Sequence, residues 1–180
     1  MSLGLYLHIP YCFSKCRYCD FYSHPGERGV PEAYVDALLR ELSRFAPEAP
    51  LQPDTLYFGG GTPSLLRPEQ AKRLIDAARP MPGAEITLEA NPETVTEESL
   101  AGFREAGVNR ISFGVQSARD TQLRTLGRPH TAKQARAAFA AAQRAGFTNI
   151  SGDIMLALPH YTQAEFDETL ELIAEGGATH

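Results

Sequence analysis

Three residues stand out for their chemistry before anything else is read. Cys12, Cys16 and Cys19 lie in "YLHIPYCFSKCRYCDFYSH" (6–24), spaced C-x3-C-x2-C, and the remaining positions hold no further cysteine. That spacing brings three thiolates to one side of a tight loop. Iron–sulfur clusters are usually held by cysteine thiolates, four for a cubane, so three ligands leave one iron open to bind something else. The competing reading is structural zinc, with His24 completing a Cys3His site. The odd count and a glycine-rich loop downstream favour the cluster. Free thiols are the weakest reading, because three so close together oxidise or take up a metal.

Other polar positions are candidates for the same chemistry. The segment "GGGTPS" (59–64) separates a strand pattern from a helix pattern, and its glycines permit positive φ and close backbone approach to a ligand. It lacks the lysine of a Walker loop and is not G-x-G-x-x-G; its plainest alternative is a glycine turn. Glu89 closes a strand before Asn91-Pro92, where a solvated carboxylate is the bland reading. Asp153 is harder to dismiss, because a carboxylate among Ile150, Ile154 and Leu156 must be paired or face a polar cavity. His8 reads as a hydrogen-bonded core histidine, and His24, His130 and His160 as loop residues at the surface. Tyr34, Leu38 and Phe139 are core by spacing.

The elements that position these residues alternate. Strand patterns cover 4–9, 54–58, 85–90, 109–115 and 149–158. Between them, Tyr34, Leu38, Leu42 and Phe45 recur at helical spacing in 32–45 and should face a sheet. A second helix starts at Pro68 and ends near Arg79, and a third runs from Thr96 to Gly107. Thr131 with Gln134 and Thr162 with Glu165 are capping boxes of two more, stopped at Gly146 and Gly176. A short extra helix fits between Gln116 and Gly127.

Five strand–helix units in a row predict a parallel sheet with helices packed outside. A doubly wound sheet and a TIM-type barrel both fit that alternation. In either, reactive groups gather at the carboxyl ends of the strands, and here every unit carries polar or glycine-rich residues at that end. A complete barrel needs eight units; the chain offers five and stops at "EGGATH" (175–180), where a sixth strand is due. The expectation is an α/β fold, a partial parallel (β/α) barrel of about five units, truncated before strand 6. Its one domain would span 1–180.

Composition excludes several classes. With 43% hydrophobic and 22% charged residues the 180-residue chain is ordinary globular protein. A net charge of -5 argues against an electrostatic grip on nucleic acid or anionic lipid. No stretch approaches the roughly 20 apolar residues of a membrane helix, and "MSLGLYLHIP" lacks the basic start and cleavage site of a signal peptide. Clustered cysteines are unlike a secreted disulfide framework. A cytoplasmic setting is expected.

Taken together, "YLHIPYC", "GGGTPS", "EANPET", "FGVQS", "LGRPHT" and "DIMLALP" resemble the radical S-adenosylmethionine superfamily. More narrowly they resemble the branch holding oxygen-independent coproporphyrinogen III oxidases and HemW-type heme chaperones. The resemblance implies a [4Fe-4S] cluster on Cys12, Cys16 and Cys19, its fourth iron chelated by S-adenosylmethionine. It implies Tyr6 and Tyr18 beside that cosubstrate, and Gly60, Gly61 and Thr62 against its methionine end. It carries Glu89, Gln116, Arg128 and Asp153 onto positions that contact bound S-adenosylmethionine. Carboxylates and amides suit a sulfonium with an ammonium and ribose hydroxyls, and Arg128 suits its carboxylate. The oxidase pattern has a fourth cysteine where this chain has Phe21, and a long extension before the equivalent of Tyr6. Both departures resemble the chaperone branch. The implied partners are heme or porphyrin, a heme acceptor and, if the cluster is redox-active, an electron-donor protein. The implied heme-binding histidine motif lies beyond residue 180, so none of the five histidines is assigned to heme.

Overall fold

The computed structural model describes residues 3–45, 51–158 and 161–180. His160 and the end of "DIMLALP" lie outside them. The chain forms strands β1 (Gly4–Ile9), β2 (Tyr11–Cys12), β3 (His24–Pro25), β4 (Thr55–Gly60), β5 (Glu85–Ala90), β6 (Arg110–Gln116) and β7 (Asn149–Ile154). Its helices are α1 (Glu32–Phe45), α2 (Pro68–Ala78), α3 (Glu97–Ala106), α4 (Asp120–Leu126), α5 (Ala132–Arg144) and α6 (Gln163–Glu175). The strands form a five-stranded sheet in the order β1-β4-β5-β6-β7, parallel throughout, and a separate two-residue pair, β2 with β3.

Local signals explain the ends. Thr96, Thr131 and Thr162 each accept the backbone N–H three residues on, in reciprocal capping boxes with Ser99, Gln134 and Glu165. Gly107 terminates α3 at φ 113°, and Arg79 takes the left-handed conformation before Pro80 to end α2.

The sheet's two faces differ, and the difference decides between the two architectures the alternation allows. Register places Leu7, Phe58, Leu88, Ile111 and Ile150 in one row across the sheet, all at 5% exposure or less. Helices cover this face, with Phe139 of α5 edge-on to Phe113 at 5.2 Å. The opposite face carries Tyr57, Glu89, Ser112 and Asp153. A doubly wound sheet is apolar on both faces; this one is an open parallel sheet with a polar face, as in a partial barrel.

Two expectations fail here. Phe45 is 74% exposed, whereas Leu42 is buried as expected together with Val35, and Tyr34 and Leu38 are partly buried against the core. The last sheet strand ends at Ile154 rather than 158: Met155 N–H still donates to Gln116 O (3.1 Å) in the ladder, and the chain then turns left-handed at Ala157, φ 57°. Beyond α6, Thr179 N–H donates to Ile150 O (2.8 Å) and Gly152 N–H donates to His180 O (3.0 Å), laying the last residues along β7.

Phe113 is fully buried. Its replacement by Ala should lower the unfolding free energy by about 3–5 kcal/mol, read from urea denaturation; a loss under about 1 kcal/mol would mean that the helix layer collapses into the void.

Candidate functional site

A cleft of about 280 Å³ opens at the carboxyl end of the sheet. Cys12, Cys16, Cys19, Tyr18, Gly60, Gly61, Thr62, Glu89, Gln116, Arg128 and Asp153 all line it. They arrive from the ends of all five sheet strands and from the loop after α4, so the assembly depends on the parallel sheet.

The cysteine loop is fixed at its neck. The β2–β3 pair sets Cys12 opposite Pro25, and Glu27 N–H donates to Cys12 O at 3.1 Å. From the other side, Gly61 N–H donates to Ile9 O and Thr62 N–H to Tyr11 O, both at 2.8 Å. A Cβ at Gly61 would stand 2.9 Å from Cys12 Sγ and 2.7 Å from Tyr11 O, so glycine alone fits. Gly60 lies at φ 118°, with its missing side chain's place taken by the His8 ring. These glycines are therefore the seat of the cysteine loop.

The acids sit opposite. Glu89 accepts the Tyr57 hydroxyl (2.8 Å) and the Gly60 N–H (3.1 Å). Burial pushes its pKa up, the Asp153 charge adds to that, and the two hydrogen bonds oppose it. Ser112 Oγ donates to Asp153 at 3.3 Å, and partial burial raises this carboxyl too, against the pull of Ser112, Arg110 and Arg128. Burial, then the Glu89 charge, raises the Tyr57 hydroxyl. Tyr18 is pushed up to about 12, chiefly by burial.

Arg128 ties the walls together. Its guanidinium lies against Cys16 Sγ (3.4 Å), donates to Asn91 Oδ1 (2.8 Å) and donates to the Gly114 carbonyl. Although burial works against its charge, Tyr18, Cys16 and Glu93 hold its pKa above the ordinary value. Asn91 in turn donates to Thr62 Oγ1 at 3.2 Å. Gln116 reaches the cleft at φ 67°, beside an irregularity in the β6–β7 register.

Some placements depart from the sequence reading. Tyr6 is 54% exposed and is not among the cleft's lining; its hydroxyl meets His8 Nδ1 at 3.1 Å and its ring stacks on Tyr57. It reaches the site indirectly, through Tyr57 to Glu89 and through His8 to Gly60. His8 is hydrogen-bonded as expected, but it lies half-buried beside the glycines rather than in the core. His130 is buried at 2% exposure, not a surface residue. His24 is exposed and packs on Tyr11 and Tyr22, outside the cleft. The Cys3His zinc set is thus not assembled, and among the described residues no three His, Cys, Asp or Glu side chains are arranged to hold one metal ion. A cubane takes one thiolate per iron, so ligands that share a wall but not a point fit it. The reading by residue type missed Asn91, Ser112 and Tyr57, whose roles arise from contacts between strands far apart in sequence. Lys15 also lines the cleft, its ammonium turned onto Phe21 O and Ser23 Oγ.

The family model described as the radical SAM superfamily matches residues 6–173. The chain belongs to that superfamily. Among curated relatives, it is 42% identical over 169 residues to the heme chaperone HemW of Escherichia coli, covering 91% of this chain and 45% of that protein. It is 38% identical over 188 residues to the HemW of Haemophilus influenzae, covering 99% and 49%. The chain thus spans about half the length of the curated relatives it matches. Among solved structures, the radical SAM enzyme coproporphyrinogen III oxidase (HemN) of E. coli superposes with a TM-score of 0.87 at 31% identity, over 98% of this chain and 42% of that one. The superfamily in general uses a [4Fe-4S] cluster with S-adenosylmethionine. Among the described residues no helix is long and apolar enough to cross a membrane.

Because the folded state raises the pKa of Glu89, that carboxyl takes up a proton on folding in the window between its ordinary and raised values. The sign follows from linkage: the native state binds more protons there, so stability falls as pH rises through the window. Wild type should therefore lose stability relative to Glu89→Gln over that interval and run parallel to it above, in urea titrations of the apo protein at stepped pH. Parallel curves throughout would remove burial as the dominant influence on Glu89.

Proposed function

We propose that the cleft holds a [4Fe-4S] cluster on Cys12, Cys16 and Cys19 with S-adenosylmethionine bound beside it, in the N-terminal part of the radical SAM core of a HemW-like heme chaperone. The observation that carries the reading is the convergence of three free thiols, two carboxylates, an arginine and a glycine-built backbone wall on one cleft. The donor set fits the group. Thiolates supply three of a cubane's four ligands, and Arg128 at Cys16 Sγ offers a cation to a thiolate-bound cluster.

When bound, the cluster would supply an iron open to an amino-carboxylate chelate and a single transferable electron. The chain's residues do the rest. Glu89 and Asp153 set negative charge where a sulfonium, an ammonium and ribose hydroxyls would lie. Thr62 and the Gly60–Gly61 backbone face the methionine end, Gln116 offers an amide, and Tyr18 gives an aromatic wall. Tyr6 acts from outside, by holding Tyr57 against Glu89. The partners on this reading are heme or a porphyrin, an acceptor protein for it and, if the cluster is redox-active, an electron donor protein; none of the five histidines is assigned to heme.

A second reading, a porphyrinogen oxidase or another radical catalyst, draws on the likeness to the oxidase fold. Phe21, 69% exposed at the cleft's rim, stands where the oxidase pattern has its fourth cysteine. That favours the chaperone.

Anaerobic reconstitution with iron and sulfide, followed by EPR of the dithionite-reduced protein, tests the reading. A reduced [4Fe-4S] signal that shifts on adding S-adenosylmethionine is expected; a colourless protein holding stoichiometric zinc would sink it. Cys16→Ser should abolish the cubane. Asp153→Ala should leave iron content intact while weakening S-adenosylmethionine binding about tenfold or more, the scale of a lost charged hydrogen bond; unchanged affinity would make Asp153 structural.

A further inference from the structure

Behind the cleft, Arg128 is backed by two polar residues that the proposed function does not use, Glu93 and His130. Six buried side-chain polar atoms lack a hydrogen-bond partner among the described residues, and four of them are here: both carboxylate oxygens of Glu93, His130 Nδ1 and Arg128 Nε. Buried polar groups are almost always paired, and a single proton would pair two of these four, His130 Nδ1 and a Glu93 oxygen.

The geometry says where that proton goes. The His130 ring is completely buried; its Nε2 lies 3.1 Å from Val115 O and its Nδ1 lies 3.4 Å from Glu93 Oε2. A carbonyl can only accept, so Nε2 carries a hydrogen. A bare Nδ1 would then aim its lone pair at a carboxylate. We infer that one proton lies between His130 Nδ1 and Glu93 Oε2, and that this buried pair positions Arg128 and Gln116, the two cleft residues it backs.

Connectivity carries the second half. His130 follows Arg128 by two residues, with Pro129 fixing the backbone between them, so anchoring the imidazole sets where the Arg128 guanidinium can reach. Val115 O, which accepts from His130, also accepts the Ser117 N–H at 2.8 Å. Those two bonds flank Gln116, whose φ of 67° is uncommon for a residue other than glycine. Glu93 itself belongs to the 3-10 turn Pro92–Thr94 that follows β5. The pair therefore joins the ends of two strands, β5 and β6, to the loop after α4, and these three segments meet at the site. The positioning half rests on the reading of the cleft as an S-adenosylmethionine site; the shared proton does not.

Two measurements test it. In ¹⁵N-histidine-labelled apo protein, with His130 assigned by its loss in His130→Gln, the Nδ1 resonance should lie away from the position of a bare lone pair. Glu93→Ala should return it there. Glu93→Gln should preserve a hydrogen bond, because a neutral amide N–H can donate to Nδ1. In cluster-loaded protein, Glu93→Ala should weaken S-adenosylmethionine binding by about tenfold, the lower end of what lost outer partners cost at metal sites, and Glu93→Gln should restore it towards wild type. A bare Nδ1 in wild type, or a spectrum indifferent to Glu93→Ala, would overturn the shared proton. A spectral change with unaltered affinity would overturn the positioning role. If Glu93→Ala fails to fold, the wild-type spectrum still decides the shared proton, and the His130→Gln protein made for the assignment decides positioning: unaltered S-adenosylmethionine affinity in it would overturn that role. Wild-type protein that binds no S-adenosylmethionine would defeat the proposed function, while the ring-nitrogen spectrum would still decide whether the proton is shared.

Discussion

A parallel sheet that is apolar on one face only cannot be buried on both. Phe58, Leu88, Ile111 and Ile150 drive one face under the helices, and the period of two along each strand then forces Tyr57, Glu89, Ser112 and Asp153 onto the other. Carboxylates cannot be covered by a second helix layer without partners for their charge. The polar face must meet water or a polar ligand, and the site follows from that constraint. Parallel pairing adds the second condition: all five strands present their carboxyl ends at one edge, so loops distant in sequence converge there.

The glycines of "GGGTPS" illustrate how one sequence feature serves packing and site together. Gly59 would place a Cβ 2.7 Å from the Tyr6 ring, Gly60 2.6 Å from the His8 ring, and Gly61 against Cys12 Sγ. Backbone here fits directly beneath the β1 side chains and the cysteine loop. A loop of three cysteines has no core of its own; it is held by the backbone bonds from Gly61 and Thr62 and, across the cleft, by Arg17 N–H donating to Leu126 O at 2.9 Å. Gly127 permits that last approach, at φ 73° with Arg17 packed over it. The cysteine spacing is local, but the loop's geometry is set by glycines some fifty and more than a hundred residues away.

This explains which features the sequence disclosed. Periodicity and capping are local, so the strand–helix order, the capping boxes at Thr131 and Thr162 and the polar strand ends could be read directly. The three thiols and the acids Glu89 and Asp153 were legible because a charged or reactive type at a strand end violates a local expectation. Phe45 misled because apolar spacing continues one turn past the last residue the sheet can reach. The strand after α5 looked longer than it is because "MLAL" is apolar, and apolar runs do not reveal a backbone that turns left-handed at Ala157. His130 read as a loop residue because loops are usually at the surface; nothing within ten residues of it discloses Glu93 or the Val115 carbonyl. Asn91 and Ser112 are unremarkable types whose importance lies wholly in tertiary contact.

Arg128 shows why the missed residues matter as much as the legible ones. It enters from the loop after α4, not from a strand end, yet it touches Cys16 from the first loop, Asn91 from the third strand of the sheet and Gly114 from the fourth. A long cation holding three walls has too many rotamers to do so unless its backbone is fixed, since ordering such a side chain costs on the order of 2 kcal/mol in conformational freedom. The Leu123 carbonyl accepts the Arg128 N–H at 2.8 Å, Gly127 supplies the turn, and His130 anchors the far side. The short segment "LGRPH" is in this sense a clasp between the helix layer and the polar face. The same arginine that can meet an anionic ligand also keeps the cysteine loop, the asparagine and the strand end at the separation the cleft requires.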